Sequence, residues 1–309
     1  MNAQRKLALL LLAGCPTTQL MAETKEHCFG FPTPGLEPKI FAPDVVSKSD
    51  RGEMGCIVSA DGNTAYFGVH NEGWIDIHRI HWDGEKWSES EALVGNKKFG
   101  AHDPALSLDE TKLYFVHDGY IIKESRRIAD LAYIELNSDG SYSEPIILDA
   151  PVNTKALEFY TCFTNTGDLV FSSNRDAEER SDFDIYRAKP KNDGYADIER
   201  FPVEINTSHY EVDAYIAPDE SYIIYCADRP GGAGRTDLYV NFAKPGGGWT
   251  PSVSLGDKVN KKGGELCPFV TRDGRFLFYS RGGQIYWVDA RILEPLREQA
   301  MQAAAKTSE

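Results

Sequence analysis

Short apolar runs of four to six residues recur along the chain, separated by Asp-Gly and Gly-rich pairs. CIVS leads to Asp61-Gly62, AYFGV follows, and IDIHRI leads to Asp83-Gly84 and Trp87. Val, Ile, Tyr and Phe alternating with polar residues suit strands with one buried face. The Asp-Gly pairs supply the positive φ that tight hairpins need. The same order returns in a second copy as ALSL, Asp109-Glu110, LYFV, LAYIEL, Asp139-Gly140 and Tyr142. A third runs through Thr166-Gly167, LVFSS, DIYRA, Asp193-Gly194 and Tyr195, and a fourth through AYIA, Asp219-Glu220, YIIYCA, DLYVNF, Gly246-Gly247-Gly248 and Trp249. An acidic residue opens each copy: Glu53, Asp103, Glu158, Glu211 and, for a fifth, Glu265, at intervals of 50, 55, 53 and 54 residues.

A four-stranded unit repeated at this length is one blade of a β-propeller, because a lone twisted sheet cannot bury both faces. The fifth copy stops after FVT, FLFYS and QIYWV. Its missing strand lies at the other end, where PKIFAPDVVSKSDRGE (38–53) aligns with PSVSLGDKVNKKGGE (251–265) and EPIILDAPVNTKALE (144–158). The expected fold is therefore all-β: a five-bladed propeller over residues 29–290, its last blade closed by the N-terminal strand. Closure removes exposed sheet edges. Residues 291–309 are expected to form a short helix with Ile292, Leu293 and Leu296 on one face, fraying after about residue 300.

The stretches FSSNRD…DFDIYRA and APDESYIIYCADRPGGAGRTDLYV resemble the TolB-type, WD40-like propeller repeats of exported bacterial proteins. The resemblance covers residues 30–290. It implies the propeller fold and leaves the activity open, since that family spans partner-binding proteins, domains attached to peptidases and some polysaccharide lyases.

Residues 1–22 read as a signal peptide and tether. Arg5 and Lys6 precede the apolar run from Leu7 to Gly14, which is too short to span a bilayer. Leu12-Ala13-Gly14-Cys15 resembles a bacterial lipobox, which implies lipidation at Cys15; ordinary cleavage after Ala22 is the alternative. Either way the expected location is outside the cytoplasm, in the periplasm or cell envelope of a Gram-negative bacterium, with membrane contact only through a lipid anchor. The remaining cysteines, Cys28, Cys56, Cys162, Cys226 and Cys267, are odd in number and form no CxxC pair. They are expected to be small buried hydrophobes. A net charge of −14 argues against nucleic acid as a partner.

Propeller topology is expected to gather the acidic markers Glu53, Asp103, Glu158, Glu211 and Glu265, with Asp213, around the upper mouth of the channel. The loops 71–75, 119–129, 175–183 and 229–236 should surround them. Such carboxylates can hold calcium, act as acid and base on a glycosidic bond, or accept hydrogen bonds from the neighbouring backbone. His102 and His209 stand close to two of the markers and, with them, are candidates for a manganese-type site. The second copy carries a longer basic loop, Lys123 through Arg127, and Arg175 and Arg229 follow the second strands of the third and fourth copies. They either pair with Asp184 and Asp237 or offer guanidinium forks to an anionic substrate such as a uronate. Trp74, Tyr160 and Tyr210 are candidate sugar platforms.

GGAGRT (231–236) has Arg where a phosphate-binding loop needs Lys, and a strand follows it where a helix is required. No GxSxG elbow or dinucleotide-binding glycine pattern is present. Two functions fit these residues. One is a non-catalytic binding module or scaffold engaging a protein, peptide or cell-wall glycan through its acidic top face. The other is a small glycoside hydrolase or polysaccharide lyase.

Overall fold

The computed structural model describes residues 27–121, 126–177, 182–192 and 194–307; the lipobox with Cys15 lies outside them, as does Lys123 of the basic stretch before Arg127. The chain forms a five-bladed β-propeller of four-stranded antiparallel sheets. Blade one runs Glu53–Val58, Thr64–His70, Ile75–His81 and Glu91–Val94. Blade two follows with Gly100–Leu106, Lys112–Ile121, Arg126–Glu135 and Ile146–Ile147. Blade three comprises Glu158–Phe163, Leu169–Ser173, Asp184–Lys191 and Gly194–Arg200. Blade four comprises Tyr210–Ile216, Tyr222–Asp228, Asp237–Phe242 and Val253–Ser254. Blade five has Glu265–Val270, Phe276–Arg281 and Gln284–Asp289, and Lys39–Ile40 completes it by pairing with Tyr286 and Trp287.

The core lies between blades, because each sheet is apolar on both faces. Phe41, Phe67, Phe278 and Trp287 fill the junction of blades five and one, and Ile57, Ile77, Phe115 and Ile134 that of blades one and two. A larger cluster joins blades two to five and the C-terminal helix. Phe269, on an inner strand, touches all three clusters, and Tyr215 meets it edge-on at 5.9 Å. These rings line a small cavity of about 60 Å³ among the inner strands.

The helix spans Leu293–Thr307, longer than its sequence suggests. Ile292, Leu293, Leu296, Ala300 and Met301 pack on the core, and Arg297 lies 4.6 Å over the Phe242 ring. That docking supplies the stability a helix this short lacks alone, so it does not fray at residue 300.

Blade two also departs from expectation. Residues 119–121 and 126–129, expected in a loop, continue a tall two-stranded ribbon, with Ile121 opposite Arg126 and Asp118 opposite Ala129. The ribbon residues, GYI at 119–121 and RRIA at 126–129, group apolar and polar positions and so lack the alternation that announces a strand.

Candidate functional site

Every inner strand carries a bulge near its start, and the residue there has left-handed φ: Gly55 55°, Asp103 55°, Tyr160 44°, Asp213 52° and Cys267 54°. A bulge re-aims its side chain, here into the axis. Cys267 Sγ lies 3.3 Å from Asp103 Oδ1 and 3.7 Å from Asp213 Oδ2. The Cys267 amide donates to Asp213 Oδ2 at 3.2 Å, and the Tyr160 hydroxyl donates to the Pro268 carbonyl at 2.6 Å. Blades two, three, four and five thus meet across the axis through side chains that are nearly inaccessible to solvent. Burial, then the charge of Asp103, raises the Asp213 pKa. Burial and the two aspartates push the Cys267 thiol far above its usual range, which leaves it a poor nucleophile.

This register corrects the expected marker series. Asp103 aligns with Asp213, whereas the residue aligned with Glu53, Glu158, Glu211 and Glu265 is Ala101. Blade two has Ala101 where the other blades have glutamate, and the next acid along the chain stood in for it in the sequence pattern.

The four glutamates do not ring an open mouth. All are fully buried and clasp the connector that enters their blade. Glu211 accepts the Thr207 amide at 3.1 Å and its hydroxyl at 2.6 Å, and Arg229 pairs with it at 3.2 Å. Glu158 accepts the Thr154 hydroxyl at 2.8 Å, with Arg175 at 3.4 Å. Glu53 takes the Lys48 amide at 3.3 Å and Arg51 at 2.7 Å; Glu265 takes the Lys261 amide at 3.1 Å, with Arg281 at 3.9 Å. The same arginines donate to the connector carbonyls of Val46, Val152, Ile205 and Val259. Each guanidinium also sits over an aromatic ring: Phe67, Phe171, Tyr239 or Tyr286. Burial raises all four glutamate pKa values against the arginine and amide contacts, that of Glu265 to about 7.

Arg175 and Arg229 therefore serve this clasp instead of pairing with Asp184 and Asp237. Asp184 holds Arg200 at 2.7 Å. Asp237 accepts the amides of Ala233 and Gly234 at 2.6 and 3.0 Å, which occupies the GGAGRT backbone. A Cβ on Gly234 would lie 2.4 Å from the Lys261 carbonyl, so glycine is required for this loop to tuck against the next connector.

The connector into blade two is built differently. In the other blades Asn153, Asn206 and Asn260 reach back to the third strand of the preceding blade, at Leu131, Ile185 and Leu238, and Ser47 does the same at Ile285. Asn96 holds the matching place, yet its carbonyl oxygen accepts the nearby Lys98 amide at 2.8 Å. With no glutamate at Ala101, the connector leaves a groove of about 680 Å³ between blades one and two. Its walls include Trp74, Lys97, Lys98, Phe99, His102 and Arg127. Lys97 Nζ sits 5.3 Å over the Trp74 ring, Phe99 stacks on His117 at 4.4 Å, and Arg127 is held by Asp118 at 2.7 Å. His70 lines the same groove; burial, then the charge of His102, lowers its pKa.

Of the expected site residues, only His102 and Trp74 line this groove, with Asp103 behind His102. Tyr160 is buried at the axis, and Tyr210 meets Phe183 edge-on at 5.7 Å. His209 belongs to the connector into blade four, where its amide donates to the Thr207 hydroxyl at 3.2 Å. Among the described residues, no three His, Cys, Asp or Glu side chains stand together at metal-binding spacing. Lys97, Lys98 and Asp118 were missed from the sequence; the alanine at the marker position was the available signal.

No protein-family model matches the chain, and no curated protein matches its sequence. Solved structures do match. A glycoside hydrolase superposes with a TM-score of 0.55 at 14% identity, covering 84% of this chain and 92% of that one. An endo-arabinase from Bacteroides thetaiotaomicron gives 0.53 at 14%, over 77% and 93%, and a TolB candidate from Agrobacterium tumefaciens 0.48 at 15%, over 76% and 71%. The likeness is one of fold. These neighbours place the chain among propeller proteins and leave its chemistry to its own residues.

Proposed function

We propose that the chain is an exported, lipid-anchored binding module that takes an anionic glycan in the groove between blades one and two. The observation that carries this reading is the unclasped connector, which presents Lys97 and Lys98 beside Trp74 in a protein of net charge −14. Within the low-dielectric walls of a cleft, such a cationic patch attracts anions against the overall field. An aromatic face next to cations suits a sugar ring bearing a carboxylate. The ligand is then acidic, contrary to the basic partner that overall charge suggests.

Calorimetry with tetragalacturonate and with a neutral galactan tetraose tests the reading. Binding of the acidic oligosaccharide alone, lost in Lys97→Glu/Lys98→Glu, is expected. Equal binding of both, or of neither, overturns it. His102 favours a second reading, a glycan-cleaving enzyme, because a charged imidazole at the groove wall can protonate a leaving oxygen. Release of new reducing or unsaturated ends, abolished by His102→Gln, would decide for it.

A further inference from the structure

His102 connects the groove to the axis. The residue is 6% exposed; its Nδ1 lies 3.0 Å from Asp103 Oδ2 and its Nε2 3.8 Å from Asp118 Oδ2. The first is an ion-pair distance; its angle makes no hydrogen bond, and Nδ1 has no other hydrogen-bond partner. The second is too long for a hydrogen bond, so Nε2 keeps a donor to give. Asp118 is satisfied elsewhere, by Arg127 through two contacts of 3.0 and 2.7 Å. Asp103 is held from behind by the Cys267 thiol, in a left-handed backbone conformation that aspartate tolerates better than most residues.

Resting on the anionic-ligand reading above, we propose that Asp103 is a positioning residue that fixes His102 as the cationic floor of the groove, its Nε2–H offered to an anionic oxygen of the ligand. The groups facing His102 are few. Asp103 stands on its own strand, and Asp118 with its partner Arg127 on the neighbouring two. His70, Lys97 and Lys98 lie on the groove side, and Phe159 of blade three stacks on the ring at 6.1 Å. Asp213 and Cys267 lie beyond Asp103. Burial opposes the charged imidazole, but Asp103 first and Asp118 second outweigh it and hold the ring at a pKa of about 9. An uncharged residue in place of Asp103 removes the larger of these two supports. The ring would then lose its proton near neutrality, and the ligand its cation.

The test uses the full chain and Asp103→Asn, since asparagine keeps the size and accepts the left-handed bulge. The His102 imidazole resonance, assigned by its loss in His102→Gln, is followed by NMR from about pH 5.5 to 10, across its ordinary pKa. Tetragalacturonate affinity is measured in parallel at about pH 6 and pH 8, where the uronate stays ionised. In the wild type, His102 is expected to keep its proton to about pH 8, and affinity to change less than about twofold. In Asp103→Asn the ring should titrate below about pH 7, and affinity should fall about tenfold between the two pH values, one charge-assisted hydrogen bond. A wild-type ring that titrates at its ordinary value, or a titration unmoved by Asp103→Asn, overturns the proposal. If the titrations follow expectation but tetragalacturonate fails to bind the wild type, the anionic-glycan reading and the ligand-facing half of the proposal fall, while the Asp103–His102 pairing stands.

Discussion

The connectors into blade four and into blade two occupy the same place in the repeat and are spent differently. Into blade four, Asn206, Thr207, Glu211 and Arg229 bind one another and the preceding blade, and Glu211 has no accessible surface. Into blade two, the glutamate is Ala101, the asparagine closes on its own turn, and two lysines reach a groove. The comparison teaches that residues repeated in every blade serve the blades, while a ligand site is sought where the repeat lapses. A carboxylate in four homologous positions was the most conspicuous chemical feature of the sequence, and it is structural.

Removing one clasp is the strongest way to break this comparison. Glu211→Ala takes the carboxylate from the half-buried Arg229, which keeps its contacts to Ser252, Ile205 and Tyr225, and should cost about 3 kcal/mol of stability. Urea unfolding reads that loss, and oligosaccharide affinity measured below the transition should stay within about twofold, because the groove lies two blades away. Installing the missing carboxylate sharpens the comparison from the other side. Ala101 is fully buried, and the ribbon strand beside it carries Gly119 where blades three and four place Arg175 and Arg229. Ala101→Glu should therefore destabilise by about 2–3 kcal/mol as an uncompensated buried acid. A gain in stability would show that blade two can still clasp.

The pH dependence of stability follows from the same groups. Folding raises the pKa of Glu53, Glu158, Glu211 and Glu265, the last to about 7. A raised carboxylate gives stability that is fully present below its unfolded pKa and is lost as pH rises through the folded one. That window runs from about 4.5 to 7 for Glu265. His102, also raised, adds stability that is lost as pH passes through about 9. Melting temperature should therefore fall by several degrees between about pH 5.5 and 9.5; above about pH 8 the buried thiols Cys56, Cys162, Cys226 and Cys267, also raised by burial, add to the fall, which His102→Gln should reduce without abolishing. The smallest effect belongs to Trp74→Ala, which should weaken tetragalacturonate binding about five- to tenfold by loss of stacking, while melting moves little.

The blade count, the closure by Lys39–Ile40 and the strand order were legible because buried sheet faces impose apolar alternation and hairpins impose glycine. The clasp was half legible. Glu211 and its counterparts stood out by spacing, but their arginine partners fall at different offsets, two residues before Glu53 and sixteen after Glu265. The register of Asp103 was not legible, since the bulge that places it on the axis leaves no mark on the pattern. Nor was the groove, because Lys97 and Lys98 in an exposed connector look like any solvated pair until the vacancy at Ala101 is seen in register.

Hydrogen–deuterium exchange of the full chain with and without tetragalacturonate tests most directly whether the ligand site lies at the unclasped junction. Protection confined to residues 70–75 and 96–102 and to the Asp118 end of the blade-two ribbon, absent in Lys97→Glu/Lys98→Glu, is the expected result. Protection at the connectors into blades three, four or five, with none between blades one and two, would contradict it.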